Sequence, residues 1–342
     1  MKHLAAVSAI ALSLLVPSFA PQAIAEDLTK VKIGALRLGG VAPLFVAINK
    51  GYFREQGLDP EFVEFTGSTQ LPPAVTSRSI DVALVAYSAA FFNLAGKGQL
   101  KVIASQSKEK AGYHVTGYLV SNQAWDGGLK SFKDLNNKRV GVTGIGSSVQ
   151  YALERVIIKY GIDRSTVQIL PLQSVPNVLA AVQGGQADMG ILTAIAIQPV
   201  EDQGRGHILG WQGDEAPAEY GGIVTTSQMI KEHRDTLQKV VTGFQKATRE
   251  FNAAFNQLDS NGKPVKGPGY DELLTMLAQV FNQPAEAVAK SLPYVDPDAR
   301  IDVQDMYDQL ALWKKLGLAD KDADPKNMLD LSFVKGNYNI PK

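Results

Sequence analysis

Gly144-Ile145-Gly146-Ser147-Ser148 stands between a strand-like run and a helix-like run, and would bring backbone N–H groups and two hydroxyls to one helix N-terminus. Such a turn favours a small anion, because unpaired amides and the helix dipole both present positive charge there. It is not a dinucleotide turn, since Val149 stands where G-x-G-x-x-G needs its third glycine. Nor is it a nucleotide-phosphate loop: Gly141 and Gly146 have the spacing, but Ser147 takes the place of the lysine. Ser147 and Ser148 are therefore candidate ligand contacts, either of which would serve equally as the helix N-cap. The turn Thr66-Gly67-Ser68-Thr69-Gln70 has the same character, with Ser68 and Thr69 as its hydroxyls. Arg37 follows the first strand-like run and precedes Gly39-Gly40, where a guanidinium would grip a carboxylate or sulfonate bidentately. Tyr87, Tyr113-His114 and Trp211 lie at expected strand ends and would supply apolar contact area in a cleft.

The same inventory removes whole classes of chemistry. The 342 residues contain no cysteine, which excludes thiol nucleophiles, cysteine-ligated zinc and iron–sulfur clusters. Of the four histidines, His3 falls in an apolar leader and His233 on a charged helix, which leaves His114 and His207 for acid–base work. No H-E-x-x-H, G-x-S-x-G or histidine pair is present, so no catalytic residue, metal or cofactor is expected. With 34 Lys plus Arg against 34 Asp plus Glu the formal charge is zero, and the basic footprint of a nucleic-acid partner is missing.

The elements that must position these residues follow from hydrophobic patterning. A short basic start, an apolar run at 4–16 and the small-x-small sequence Ala23-Ile24-Ala25 read as a signal peptide over 1–25, cleaved after Ala25 into the periplasm. Without a cysteine at the cleavage site there is no lipid anchor, so a freely diffusing monomer is expected. Residues 31–36, 61–65 and 81–86 read as strands, with helices at 43–49 and 70–77 between them. A second half repeats the order, with strands at 139–143, 167–170 and 188–192 and helices at 149–160 and 178–183. Residues 74–84 align with 181–191 at an offset of 107, with Asp81 and Asp188 just before a buried strand, expected as turn carboxylates. Alternating strands and helices predict two α/β lobes, each a mainly parallel sheet flanked by helices, with ligand loops at the strands' C-terminal edges. Strand-like segments at 118–121 and 222–226 place the crossings: lobe one comprises 26–120 plus 220–342, lobe two 121–219, and two crossings make a hinge. Helices are expected at 229–258, 270–281 and 303–316 as a C-terminal extension of lobe one.

At particular segments the chain resembles a known family. Residues 44–58 (L-F-V-A-I-N-K-G-Y-F-R-E-Q-G-L), 80–84 (I-D-V-A-L), 132–142 (F-K-D-L-N-N-K-R-V-G-V) with Gly146-Ser147, and 185–189 (G-Q-A-D-M) are similar to periplasmic solute-binding proteins of the nitrate/sulfonate/taurine group of ABC transporters, the NMT1/THI5-like proteins. The resemblance covers about 30–225 and implies a two-lobed type II fold that closes on a small molecule and delivers it to a membrane permease. It implies ligand contacts at Arg37, Gly39, Gly40, Ser68, Thr69, Tyr87, Ser88, Gly146, Ser147, Ser148 and Thr193, to which the aromatic argument adds His114 and Trp211. Arg37 with aromatics suits an alkyl or aromatic sulfonate or carboxylate, whereas His114 with tyrosines suits a neutral pyrimidine or thiamine precursor. The related eukaryotic pyrimidine synthases carry a cysteine-rich iron-binding segment, and this chain has no cysteine, so a binding protein and not an enzyme is expected.

Overall fold

A computed structural model describes residues 28–341; the expected leader over 1–25 lies outside them. Two five-stranded sheets organise the chain. The first holds β1 (Thr29–Leu36), β2 (Leu58–Phe65), β3 (Val82–Ala86), β4 (Leu100–Glu109) and β10 (Ala218–Thr226) in the order β2-β1-β3-β10-β4. The second holds β5 (Thr116–Val120), β6 (Arg139–Val142), β7 (Gln168–Pro171), β8 (Met189–Thr193) and β9 (His207–Trp211) in the order β7-β6-β8-β5-β9. In each, three neighbouring strands run parallel and the fourth place is taken by an antiparallel strand, β10 or β5. The duplication extends to register: Ile33 opposes Val82 in one sheet and Val140 opposes Met189 in the other, both 107 positions on.

The matched aspartates show why the repeat persists. Asp81 accepts from the Lys32 N–H of β1 and Asp188 from the Arg139 N–H of β6, both at 2.7 Å, so each carboxylate satisfies a backbone amide of the neighbouring strand. Asp188 also takes the Arg139 guanidinium, at 2.8 Å from Nη2.

Helices cover both faces of each sheet. In lobe one, α1 (Ala42–Asn49), α10 (Arg234–Phe255) and α11 (Tyr270–Phe281) close one face, and α2 (Leu71–Thr76), α3 (Ala89–Gly96) and α13 (Val303–Lys315) the other. In lobe two, α5 (Ser148–Tyr160) covers one face, and α6 (Val175–Gln183) and α7 (Ala194–Asp202) the other. Short helices α4 (Asn122–Asp126), α8 (Gln212–Glu215), α9 (Ser227–Glu232) and α12 (Ala285–Ala289) fill connections. β3 sends Val82 and Leu84 to one core and Ala83 and Val85 to the other, which accounts for its unbroken apolar run. On α10 the stripe Leu237, Val240, Val241, Phe244, Phe251 and Phe255 is buried at helical spacing. Truncating Phe244 to Ala would cost about 3–5 kcal/mol.

The long helix expected over 229–258 is broken. His233 adopts φ −136°, ψ 39°, separating α9 from α10, and the chain leaves helix after Phe255 for a small hairpin of β11 (Gln257–Leu258) and β12 (Pro264–Val265). The crossings also fall earlier than the pattern suggested: 116–120 belongs to the second sheet and 218–226 to the first, so the chain passes between lobes at 110–115 and 212–217.

Candidate functional site

The C-terminal ends of both sheets face a narrow cavity whose atom-free space, with its open mouth, is about 540 Å³. Lobe one contributes Leu36 at the end of β1 and Leu38 after it, Thr66 to Ser68 after β2, Ala86 at the end of β3, and Tyr220 of β10. Lobe two contributes Thr143 after β6, Ser148 and Val149 of α5, Val175 of α6, and Ile191 to Thr193 of β8. Most of these positions follow from the α/β rule that ligand loops leave the carboxyl ends of the parallel strands, while Tyr220 comes from the start of the antiparallel β10. The walls are largely aliphatic, and no lining residue carries a formal charge.

The positive field comes instead from helix ends. Ser148 and Val175 are the first residues of α5 and α6, and Thr193 is the N-cap of α7, so three helices of lobe two begin at the cavity. Ser147 and Ser174 cap the first two by accepting from the Gln150 and Asn177 N–H groups. Thr193 makes no such bond: its hydroxyl, in a residue 5% exposed, has no partner. A buried hydroxyl left unpaired at a helix start is costly unless a ligand satisfies it. Across the cavity, the Gln106 side chain, 1% exposed, donates from Nε2 to the Gly40 carbonyl at 3.1 Å and leaves Oε1 unpartnered.

Of the residues singled out from sequence, Ser68, Ser148 and Thr193 line this cavity. Arg37 does not. It is exposed, gives Nε and Nη2 to Glu64 Oε2 at 3.1 and 2.9 Å, and lies over the rings of Phe45 and Phe62. Its partner in this structure is the Glu64 carboxylate on the neighbouring strand, in place of the ligand expected for it. Ser147 and Ser88 are spent as N-caps, Ser88 accepting from the Phe91 N–H at 3.2 Å. Thr69 is exposed and outside the lining. Tyr87 is buried in the lobe-one core, its ring stacked on Phe91. His114 and Trp211 stack on each other with centroids 4.3 Å apart, and His114 faces a separate groove with Tyr113 and Tyr270.

The three glycines serve close approach. A Cβ on Gly39 would lie 2.6 Å from the Ser291 carbonyl oxygen, and one on Gly40 2.6 Å from the Tyr220 ring. Gly146 has φ 76° and its carbonyl accepts from the Ala89 N–H at 2.8 Å, a backbone bond between the lobes. The lobes also meet where Tyr151 of α5 packs on Trp313 of α13. Gln106, Thr143, Val175 and Ile191 were missed by sequence reasoning; the local sign for Gln106 is Ser105-Gln106-Ser107, polar residues that follow the apolar run Val102-Ile103-Ala104 and are buried nonetheless.

Beside the two crossings, β4 ends on Glu109, which pairs across the sheet with Ala218, the first residue of β10. Its carboxyl is buried beside Thr116 with no cation against it, and burial pushes its pKa up to about 8.

Two mixed sheets, two crossings and a cavity between their carboxyl edges define the α/β periplasmic-binding-protein fold. The chain belongs to the NMT1/THI5-like family, whose model matches residues 39–254. It is 26% identical to the candidate binding protein YtlA of Bacillus subtilis over 227 residues, 65% of this chain and 66% of that protein. It is 24% identical over 157 residues to the 4-amino-5-hydroxymethyl-2-methylpyrimidine phosphate synthase of Schizosaccharomyces pombe, 44% of this chain and 40% of that enzyme. Thus the matches span just under two thirds of the first relative and less than half of the second. Among solved structures, the alkanesulfonate-binding protein SsuA from Xanthomonas axonopodis pv. citri, bound to MOPS, superposes with a TM-score of 0.73 at 19% identity, covering 90% of this chain and 99% of that one.

Proposed function

We propose that this chain is the periplasmic solute-binding component of an ABC importer, whose lobes close on a small organic acid and present it to a membrane permease. The observation that carries this is the cavity built from both lobes, with three helix N-termini of lobe two opening on an otherwise aliphatic wall. Each helix start favours an anionic head by about 0.3–1 kcal/mol, and up to about 2 kcal/mol when partly buried. The head, carboxylate or sulfonate, is held by amides and the Thr193 hydroxyl without a side-chain cation, and an apolar body fits against Leu36, Leu38 and Val41. The sulfonate-binding and candidate binding relatives favour transport; the synthase relative is the case for an enzyme. Against an enzyme stands the lining, which includes no His, Asp or Glu to move a proton. Because the lining is also uncharged, a neutral ring such as a pyrimidine is the second reading.

A thermal-shift panel of sulfonates, carboxylates and pyrimidines separates these. A ligand at a hundredfold excess over its Kd should stabilise the chain by about 2.7 kcal/mol. Chemical turnover of a panel member would replace binding protein by enzyme, and stabilisation by pyrimidines alone would select the neutral ligand.

A further inference from the structure

Resting on the cleft as the ligand site, we infer that the ligand carries a hydrogen-bond donor, an O–H or N–H, besides its acceptor head, and that Gln106 is the residue that reads it. The orientation of the Gln106 amide is fixed by chemistry: only Nε2 can donate to the Gly40 carbonyl, so the atom left over is the acceptor Oε1. An unpaired acceptor in a residue 1% exposed is an asymmetric feature. It costs little once a donor meets it and a full desolvation penalty otherwise.

The backbone is built to place it. Along the β4–β10 ladder Ser107 pairs with Gly221 and Ser105 with Gly222, so Gln106 is an extra residue, a β-bulge. A bulge re-aims its side chain relative to strict alternation. The two residues opposite the bulge are glycines that the tight backbone there requires, since a Cβ on Gly221 would lie 2.2 Å from the Val85 carbonyl oxygen and one on Gly222 2.5 Å from the Tyr87 hydroxyl. Ser107 Oγ also donates to the Gly40 carbonyl, at 2.8 Å, so the loop is held even without the glutamine. The partner atom of this arrangement lies in the other lobe: the unpaired Thr193 hydroxyl at the uncapped start of α7. One ligand that accepts at Thr193 and donates to Gln106 engages both lobes, which is the condition for ligand-driven closure.

The test uses the mature chain and probes matched in shape, each hydroxyl exchanged for a methyl. They are 2-hydroxyethanesulfonate against propane-1-sulfonate, 4-hydroxybutyrate against pentanoate, and 4-hydroxybenzoate against 4-methylbenzoate. Calorimetric titration of the unsubstituted protein should favour the hydroxylated member of a binding pair by about tenfold or more, because a site built to bond a hydroxyl rejects the analogue lacking it. Gln106→Met, which keeps the length of the side chain and leaves Gly40 bonded to Ser107, should abolish or invert that preference while binding persists. Gln106→Glu retains an acceptor and should retain the preference in part. If a pair binds without discrimination, or with the same discrimination in Gln106→Met, the role of Gln106 is overturned and the cleft remains. If no probe stabilises or titrates the protein, the organic-acid reading of the cleft falls and the inference with it.

Discussion

Replacing Gly146 by Ala separates the cost of folding lobe two from the cost of closing the lobes. At φ 76° an alanine sits in the left-handed region, which costs about 1–2 kcal/mol whether the lobes are apart or together. Closure adds a second cost, because the new Cβ would lie 2.9 Å from the Ala89 Cβ in the other lobe. Both atoms are fixed to backbone, so relief requires the lobes to stand apart, and the Ala89 N–H to Gly146 carbonyl bond of 2.8 Å is lost. A typical hydrogen bond is worth about 0.5–1.5 kcal/mol, or roughly a 2- to 13-fold loss of affinity. Calorimetry with the best ligand from the panel should read that loss, and calorimetric melting the lower Tm. Ala89→Gly, which removes the opposing methyl, should restore affinity in the double variant without restoring Tm. If Gly146→Ala lowered Tm but bound as tightly as the unsubstituted protein, the two lobes would not meet at this point in the bound form, and the closure geometry would be wrong.

Two other substitutions probe the charges. Arg37→Ala should leave ligand affinity within about twofold, because the guanidinium serves Glu64 at the surface, where such a pair is worth about 0–1 kcal/mol; a tenfold loss in titration would return Arg37 to the cleft. Glu109, held up at about 8 by burial, is protonated in the folded state over a range where the unfolded chain has lost the proton. The folded state then binds more protons, so this group's contribution to stability falls as pH rises from about 4.5 to 8. Glu109→Gln should therefore raise Tm at pH 8 and change it little at pH 4.5, as followed by differential scanning calorimetry; an equal effect at both pH values would show that the carboxyl is not the titrating group. Glu219 and Asp305, pushed up by burial to about 7 and 6, add decline of the same sign that this variant leaves in place.

What the residues disclosed depended on how local the deciding force was. α11 occupies 270–281, the span its apolar spacing predicted, since amphipathic packing is written within a dozen residues. The 107-residue offset was legible because the Asp81 and Asp188 carboxylates do the same backbone work in both sheets. The break at His233 was not, since the apolar spacing runs on past it and a single residue outside helical geometry separates α9 from α10. The site was the least legible part. Arg37 looked like an anion clamp until Glu64, on the neighbouring strand, supplied its partner. His114 and Trp211 looked like cleft aromatics but found each other. Gln106 acquires its place through a bulge defined by β10, more than a hundred residues away in sequence. Pairings made at that distance leave no mark in spacing or periodicity.

The measurement that bears most directly on the whole account is small-angle X-ray scattering of the protein, alone and with a ligand whose binding has been established by calorimetry. Closure of two lobes about crossings at 110–115 and 212–217 predicts a smaller radius of gyration in the bound sample. Identical profiles with and without saturating ligand would contradict it.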